Sequence, residues 1–281
     1  MPSPIGNLIK KLWQHPLTRG IEIDSPESFE IHRRLLQVNP LLNRLYRKWY
    51  RECIPAYEET KGLEGDMIEI GSGVGFLEQV IPDLVKTDVA PNPCASKVID
   101  AMKMDYGDDE LRAIFAVGVL HHLSHPRAFL AEAERCLRPG GRVVLVEPTN
   151  NFPVRFLVQH LDHYEYFDDK IEDWVNGSAG RLSHANNALP WVIFIRDRSR
   201  FEKEFPHLKI QKIRYHTLLG YVVTGGMTYR PFLPPFAAPV IDLIDEGLAR
   251  PFMPKVATMM TIDLVKTPVP ARIRNNPLHS F

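Results

Sequence analysis

The residues with the clearest capacity for chemistry stand in the segment MIEIGSGVGF, at positions 67–76. Gly71, Gly73 and Gly75 alternate there, directly after a short apolar run. Glycine permits a turn with positive φ and lets a ligand approach the backbone where a Cβ would otherwise stand. Such a loop, between a strand and a helix, is a common ligand site in α/β proteins. The dinucleotide fingerprint GxGxxG would need a sixth-position glycine, and Phe76 stands there instead.

Carboxylates accompany the glycine loop in a regular order. Glu69 precedes the loop, Asp88 ends the second apolar run, and Asp100, beside Ala101, follows the third. A carboxylate at the end of a strand can accept hydrogen bonds from both hydroxyls of a ribose. An aspartate together with a backbone amide can bind the edge of an adenine. Asp88 or Asp100 alone is more typical of a strand-end cap or a turn, but their order after the glycines favours a ligand site.

Histidines in two places are candidate bases. His121 and His122 follow the run AVGVL, and Val117 and Gly118 in that run should line the same pocket. We expect the two histidines to open the following helix, where an imidazole can take the proton of a substrate hydroxyl. The alternative is a helix start that only shapes the cleft. His184, in LSHANNALPW, is a third candidate base.

A third group of histidines invites a metal interpretation. His160 and His163 have the i, i+3 spacing of one helical face, and Asp162 lies between them. No third ligand follows at a recognisable spacing, so we predict ordinary polar contacts there and no metal site in the protein.

Alternating strands and helices must position these residues. From residue 66 the strand-like segments are MIEI, LVKTDV, KVIDA, AIFAVGVL and RVVLVEP, and the helix-like segments are FLEQVI and PRAFLAEAERCL. This alternation indicates parallel strands, because parallel neighbours need long connections. The segment LRPGG, 137–141, is a helix stop before the last of these strands. A helix at 197–205, a strand at 208–216 and a final strand, ATMMTIDLV, follow later.

Additions surround this core. The segment NPLLNRLYRKWYRECI predicts an amphipathic helix with Asn39 as its cap and Pro40 at its first position. We predict a single domain over 1–281. Its parts are a helical arm (1–61), a binding core (62–148), a lid insertion (149–196), segments that complete the sheet (197–216 and 257–267), a second insertion (217–256) and a tail (268–281).

Composition limits the partners. The 34 Lys and Arg balance the 34 Asp and Glu, so no net field attracts nucleic acid.

The three cysteines, Cys53, Cys94 and Cys136, show no CxxC spacing, which suits a reducing cytoplasm. Cys53 and Cys136 fall in helical patterns as core residues. Lys10 and Lys11 interrupt any signal peptide, and no apolar run is long enough to span a bilayer.

Two apolar clusters have several possible uses. One lies near the start, at Ile5, Leu8, Ile9, Leu12 and Trp13, and the other is PPFAAPVIDLIDEGL. Packing in the core or in a dimer is the favoured use. A peripheral contact with a membrane surface is the alternative, and it would suit a lipid-linked substrate.

Over residues 62–148 the sequence resembles the class I S-adenosylmethionine (SAM) dependent methyltransferases. The resemblance rests on Glu69 before GSGVG, on VLHHL and on LRPGG. It implies an α/β, Rossmann-like, doubly wound, mostly parallel seven-stranded sheet with an N-terminal helical arm and lid insertions. It also implies SAM as the cofactor. Carried over, the resemblance places the following residues around SAM: Glu69, Gly71, Gly73 and Gly75 at the methionyl part, Asp88 at the ribose, Asp100 and Ala101 at the adenine, and Val117 in the pocket wall.

The acceptor is less closely defined. The segments HPLTRGIEIDSPESFEIHRRLL and LSHANNALPWVIFIRDRSRFEKEFP resemble a bacterial subgroup often associated with surface polysaccharide or other glycan synthesis, which implies a small-molecule or glycan acceptor. The sequence AVGVLHHL is not the Asp/Asn-Pro-Pro-Tyr/Phe loop of amino-group methylases, so oxygen is the favoured acceptor, with carbon and nitrogen open. Two other classes stay open: a binding or regulatory subunit with this fold, and a nicotinamide oxidoreductase, against which Phe76 argues.

Overall fold

A seven-stranded sheet runs through the computed structural model, which describes residues 4–161, 164–177 and 180–268. The strands are β1 (Asp66–Ile70), β2 (Leu84–Asp88), β3 (Lys97–Val98), β4 (Leu111–Val117), β5 (Leu137–Pro148), β6 (Leu208–His216) and β7 (Met259–Lys266). Their order is β3-β2-β1-β4-β5-β7-β6, and β7 alone runs antiparallel to its neighbours, β5 and β6. The predicted α/β, mostly parallel seven-stranded sheet is confirmed.

Helices cover both faces of the sheet. In the described residues the α-helices are α1 (Pro4–Trp13), α2 (Glu27–Val38), α3 (Pro40–Arg51), α4 (Ile54–Thr60), α5 (Pro126–Cys136), α6 (Phe152–His160), α7 (Leu189–Trp191), α8 (Arg198–Glu204), α9 (Leu219–Thr224), α10 (Ala238–Asp242) and α11 (Met253–Val256). Two π-helical segments, Val192–Arg196 and Leu243–Leu248, extend α7 and α10. The predicted N-terminal helical arm is therefore present as α1 to α4.

Helix α3 begins as the sequence predicts. The Asn39 Oδ1 atom accepts a hydrogen bond of 3.1 Å from the Leu42 backbone N–H, and Pro40 stands at the first helical position. A side-chain cap of this kind satisfies one of the backbone donors that a helix start leaves unpaired. The apolar face of α3, including Tyr50, then packs on the sheet next to Met67 and Phe115.

The core divides between the two faces of the sheet because successive side chains of a strand point to opposite sides. On β1, Ile68 and Ile70 belong to the cluster that packs under α5, whereas Met67 packs under α3. The same alternation places Ile114 of β4 on the α5 side and Phe115 on the α3 side. Cys53 and Cys136 are buried in these clusters, as predicted.

The first crossover differs from the prediction. In place of a helix over FLEQVI, the chain makes one 3₁₀ turn, Leu77–Gln79. The connection from Gly75 to β2 is short, and Pro82, which lacks a backbone N–H, opposes a further helical turn. The predicted strand KVIDA is also reduced, to the two residues of β3.

Two boundaries around β4 and β5 also differ. His121 and His122 lie in a 3₁₀ turn, Leu120–His122, and the following helix α5 begins only at Pro126. The predicted helix stop at LRPGG is correct, since α5 ends at Cys136, but β5 already begins at Leu137.

The insertions contain more helix and more exposed apolar surface than predicted. Both 149–196 and 217–256 carry short helices in place of wholly irregular chain. The side chains of Leu8, Leu12, Phe236 and Leu243 are exposed, so packing in the core of this chain does not account for them, and dimer or membrane contact stays a prediction. Within the described residues, no helix is long and apolar enough to cross a bilayer.

Candidate functional site

A cavity of about 660 Å³ opens at the carboxyl ends of β1, β2 and β4. Ligands bind at this edge in doubly wound sheets, and the volume falls within the range of about 300–1,000 Å³ typical of small-molecule sites. The predicted cofactor residues all line this cavity: Glu69, Gly71, Gly73, Gly75, Asp88, Asp100, Ala101 and Val117.

The glycine loop needs its glycines for two reasons. Gly71 and Gly73 have φ values of +60° and +49°, which side chains other than glycine rarely adopt. Gly75 has an ordinary φ, but a Cβ there would lie 2.3 Å from the Tyr50 hydroxyl of α3. The Tyr50 hydroxyl accepts a hydrogen bond of 3.2 Å from the Phe76 N–H. The helical arm therefore packs directly against the loop.

Asp88 is buried at the end of β2 and holds the loop in place. Its Oδ2 atom accepts a hydrogen bond of 2.9 Å from the Gly73 N–H, and its Oδ1 atom accepts one of 3.2 Å from the Ala90 N–H. These contacts are the ones expected if Asp88 serves as a strand-end cap, which was the alternative to a ligand-binding role. It also lines the cavity, as a ribose ligand must.

Glu69 is a buried acid on the cavity wall. Its Oε2 atom has no hydrogen-bond partner in the described part of the chain. Burial raises the pKa of Glu69 to about 8; the Lys86 ammonium opposes this rise, and Glu78 and Asp88 add to it. An unsatisfied buried carboxylate is costly unless a ligand supplies a donor, so the site suits a cationic group such as an ammonium.

The adenine candidates, Asp100 and Ala101, follow β3, which lies two strands away from β1 in the sheet. Asp100 is exposed, and its Oδ1 atom accepts a hydrogen bond of 2.8 Å from the Met102 N–H. Ala101 beside it is buried. At the end of β4, Gly118 follows Val117 with a φ of +68° and donates its N–H to the Val146 carbonyl at 2.8 Å. The chain turns there into the segment that carries the two histidines.

His121 is held by a buried carboxylate that the sequence analysis missed. Its Nδ1 atom lies 2.6 Å from Oε2 of Glu147, a fully buried residue of β5. The other oxygen of Glu147 accepts hydrogen bonds from the backbone N–H groups of Val119, at 2.9 Å, and Leu120, at 2.7 Å. The signal that could have revealed Glu147 is an acid inside the apolar strand segment RVVLVEP.

His122 and Glu165 complete a cluster with His121 on the cavity wall. Glu165 Oε1 lies 3.6 Å from Nε2 of His122, and Glu165 Oε2 lies 4.0 Å from Nε2 of His121. Burial holds the pKa of His122 well below its usual value, and the electrostatic effects of the neighbouring His121 and Arg181 lower it further. The ring of His122 is therefore neutral near pH 7.

The other histidines lie apart from this cluster. His184 is exposed, has a φ of +62° and donates its backbone N–H to the Tyr164 carbonyl at 2.7 Å. It is not among the cavity-lining residues, so the structure does not bring this predicted base to the site. His160 ends α6, whereas Asp162 and His163 lie outside the described residues.

Aliphatic and aromatic side chains form much of the remaining cavity wall. They come from α3, α6 and the second insertion, and include Trp49, Val154, Val158, Leu161, Tyr221 and Phe232. Such a surface stabilises an apolar ligand by removing its hydrocarbon from water.

Part of the lid insertion closes the cavity from the side of the helical arm. Arg181, Leu182 and Ser183 line the cavity. Asp24 fixes this segment, because its Oδ1 atom accepts a hydrogen bond of 2.6 Å from the Leu182 N–H and its Oδ2 atom accepts one of 2.5 Å from the Ser183 hydroxyl.

Comparison of the chain with known proteins finds methyltransferases. A family model described as a methyltransferase domain matches residues 41–184. A demethylmenaquinone methyltransferase of Tropheryma whipplei (strain Twist) is 25% identical over 159 residues, and the match covers 45% of this chain and 66% of that relative. The crystal structure of geranyl diphosphate C-methyltransferase from Streptomyces coelicolor A3(2), in complex with Mg²⁺, geranyl diphosphate and S-adenosyl-L-homocysteine, superposes with a TM-score of 0.51 at 12% identity. That superposition covers 94% of this chain and 99% of the other and shows a shared fold.

Proposed function

The chain belongs to the family of SAM-dependent methyltransferase domains, and from this membership we propose that it methylates a small, largely apolar acceptor. The observation that carries the proposal is the cavity. One continuous space is bounded both by the glycine loop with its carboxylates and by an apolar wall next to the His121, His122 and Glu165 cluster. A cofactor and an acceptor can therefore meet in it.

The residues at the glycine loop fit the groups that SAM presents. The unpartnered, buried carboxylate of Glu69 suits the ammonium of the methionyl part. Asp88 can accept from the ribose hydroxyls while it holds Gly73, since each carboxylate oxygen has more than one acceptor site. Asp100 and Ala101 are proposed for the adenine. Bound SAM supplies an activated methyl group, and the protein chiefly aligns the acceptor and excludes water.

The apolar wall favours a hydrocarbon-rich acceptor. The names of two related proteins, a demethylmenaquinone methyltransferase and a geranyl diphosphate C-methyltransferase, mention acceptors with isoprenoid character. We therefore propose an acceptor of this apolar kind ahead of the glycan that the sequence segments suggested. Oxygen stays the proposed accepting atom. Analysis of the product would show whether the methyl group is on oxygen or on carbon.

Methyl transfer to a hydroxyl also needs loss of the hydroxyl proton, and the same holds for a carbon acid. The His121, His122 and Glu165 cluster lies on the wall where this loss can be promoted. Glu147 fixes the ring of His121, so that its Nε2 atom is the ring nitrogen nearer Glu165. We assign activation of the acceptor to this cluster.

Ligand binding and product identification test the proposal. S-adenosylhomocysteine should raise the melting temperature of the purified protein by mass action, and NAD should not. Incubation with labelled SAM and a lipid extract of the host should then yield a labelled small molecule. Label found only in protein or nucleic acid would contradict the acceptor class, and SAM binding without any transfer would favour a binding or regulatory subunit.

Location and partners stay predictions from the sequence. From the sequence we propose a bacterial source, a cytoplasmic location and no nucleic-acid partner, with oligomer formation and a peripheral membrane contact as alternatives for the exposed apolar surface.

A further inference from the structure

We propose that His121, His122 and Glu165 form a binding site for one divalent transition-metal cation, of which Zn²⁺ is the probe, open toward the methyl-transfer cavity. Binding of the ion is independent of the proposed function. Its part in activating the acceptor rests on the proposed function.

The spacing of the three side chains suits a single ion. One nitrogen of each imidazole and one carboxylate oxygen lie within 4.8 Å of one another. Zinc bonds to nitrogen and oxygen of about 2.0–2.2 Å in tetrahedral geometry place neighbouring ligand atoms roughly 3.4 Å apart. The distances of 3.6 Å and 4.0 Å from the Glu165 carboxylate to His122 Nε2 and His121 Nε2 are close to that value. Small side-chain shifts would bring all three ligands onto one ion.

The separation of His122 and Glu165 leaves room for an ion between the two side chains. At 3.6 Å, His122 Nε2 and Glu165 Oε1 lie beyond the usual range for an N–H···O hydrogen bond. A cation held between the two atoms could bind both of them at this separation.

Neighbouring residues orient two of the three ligands. A metal-binding histidine commonly donates its other ring N–H to a carboxylate, which fixes the ring and its tautomer. Glu147 stands in this position, 2.6 Å from His121 Nδ1, and is itself fixed by two backbone N–H groups of the turn. The Asn187 side-chain amide donates a hydrogen bond of 2.5 Å to the Glu165 carboxylate.

The ligand types indicate the class of metal. Two imidazoles and one carboxylate suit Zn²⁺, Fe²⁺, Co²⁺ or Ni²⁺, whereas Mg²⁺ and Ca²⁺ prefer oxygen ligands throughout. Three protein ligands leave at least one coordination position open, as in catalytic zinc sites. Because all three residues line the cavity, an ion that they hold would be within reach of an acceptor bound there. A metal-bound hydroxyl has a lowered pKa, so the ion would promote loss of its proton.

The experiment uses the full chain, freed of metal by a chelator and then titrated calorimetrically with Zn²⁺. We expect one ion per chain, with affinity reduced at least about tenfold in His122→Ala and in Glu165→Gln. Glu147→Gln should reduce it about 10–100-fold, because the support of a metal ligand is typically worth that much. His125→Ala is the matched control, since His125 lies three residues from His122, is exposed, and its side chain makes no capping hydrogen bond.

A second titration, with S-adenosylhomocysteine, separates the metal proposal from the proposed function and from loss of the fold. Unchanged cofactor affinity in His122→Ala and Glu165→Gln, together with lost zinc affinity, supports the site. Zinc affinity equal to the parent's in both variants, or no ion bound per chain by the parent, overturns it. Undiminished methyl transfer by the metal-free protein would overturn the ion's part in activation and leave the proposed function standing.

Discussion

The carboxylate of Glu147 lies 2.6 Å from Nδ1 of His121, although 26 positions separate the two residues in the chain. The contact joins β5 to the turn after β4, so two neighbouring parallel strands bring the pair together. One Glu147 oxygen binds the turn's backbone and the other binds the imidazole. The residue therefore fixes both the position of the turn and the orientation of the His121 ring.

Glu147→Gln should slow methyl transfer without weakening cofactor binding. A glutamine can keep an oxygen for the Val119 and Leu120 N–H groups, but its amide cannot accept from His121 Nδ1–H. We expect kcat to fall about 10–100-fold and the affinity for S-adenosylhomocysteine to stay within about twofold. Glu64→Gln, on an exposed residue, is the control. An equal loss of kcat and cofactor affinity would show that Glu147 acts only on the fold.

Asp88 should contribute directly to cofactor binding. Asp88→Asn keeps the shape and one acceptor oxygen but loses the charge that would face the ribose. Hydrogen bonds to charged groups contribute about 1.5–3 kcal/mol each, so affinity for S-adenosylhomocysteine should fall at least about tenfold. Asp88→Ala should also lower the melting temperature, because the Gly73 and Ala90 N–H groups lose their acceptor. The control is Asp105→Asn, at an exposed position. A lowered melting temperature with unchanged affinity would leave Asp88 as a cap alone.

Cofactor affinity should rise with pH through Glu69. Its pKa of about 8 keeps the carboxyl mainly protonated near neutral pH, whereas an ammonium ligand needs the carboxylate. Binding must then release a proton, so affinity for S-adenosylhomocysteine should increase from pH 6 to pH 7.5. Calorimetry in buffers of different ionisation enthalpy measures the released proton directly. The Glu69→Gln variant should show weaker binding without this pH dependence, and a proton release equal to the parent's would contradict the assignment.

Gly75→Ala should destabilise the protein through Tyr50. The new Cβ would lie 2.3 Å from the Tyr50 hydroxyl oxygen but 3.5 Å from the ring carbon that carries it. Overpacking of this kind typically costs about 1–3 kcal/mol. In a Tyr50→Phe background the cost should be smaller, because the nearer clashing oxygen is gone and only the Ser72 carbonyl oxygen, 3.0 Å away, stays close. Urea unfolding of the double-mutant cycle measures that coupling. Gly62→Ala, where a Cβ meets open space, should be near neutral. If the losses in free energy of unfolding from Gly75→Ala and Tyr50→Phe simply add in the double variant, the loop avoids Tyr50 by moving.

Bound cofactor should further stabilise the lid. Hydrogen exchange at residues 180–191 should slow when S-adenosylhomocysteine is added, because Arg181, Leu182 and Ser183 line the cavity. Asp24→Ala should speed exchange of the Leu182 amide in the free protein, since that N–H loses its acceptor. Glu22→Ala, an exposed neighbour, is the control. Equal protection with and without the ligand would count against a closing lid.

The sequence by itself determined the glycine loop, the cap of α3 and the parallel strands, because these features depend on residues close together in the chain. The glycines at 71 and 73 adopt the positive φ values for which glycine is suited, and Asn39 caps its helix three positions away. The alternation of apolar segments predicted the parallel sheet, because strand and crossover lengths are themselves local properties. The position of Asp88 at the end of β2 followed from the same pattern.

Only the tertiary structure decided which distant side chains meet. The contacts of Tyr50 with Gly75, of Glu147 with His121, and of Glu165 with both histidines join separate elements of the fold. The spacing along the chain does not contain these distances, because they depend on how the arm, sheet and lid pack. For the same reason His184, a candidate base in the sequence, is exposed and is not among the residues that line the cavity. The site was thus predictable where the backbone shapes it and unpredictable where packing between remote segments selects its acids and bases.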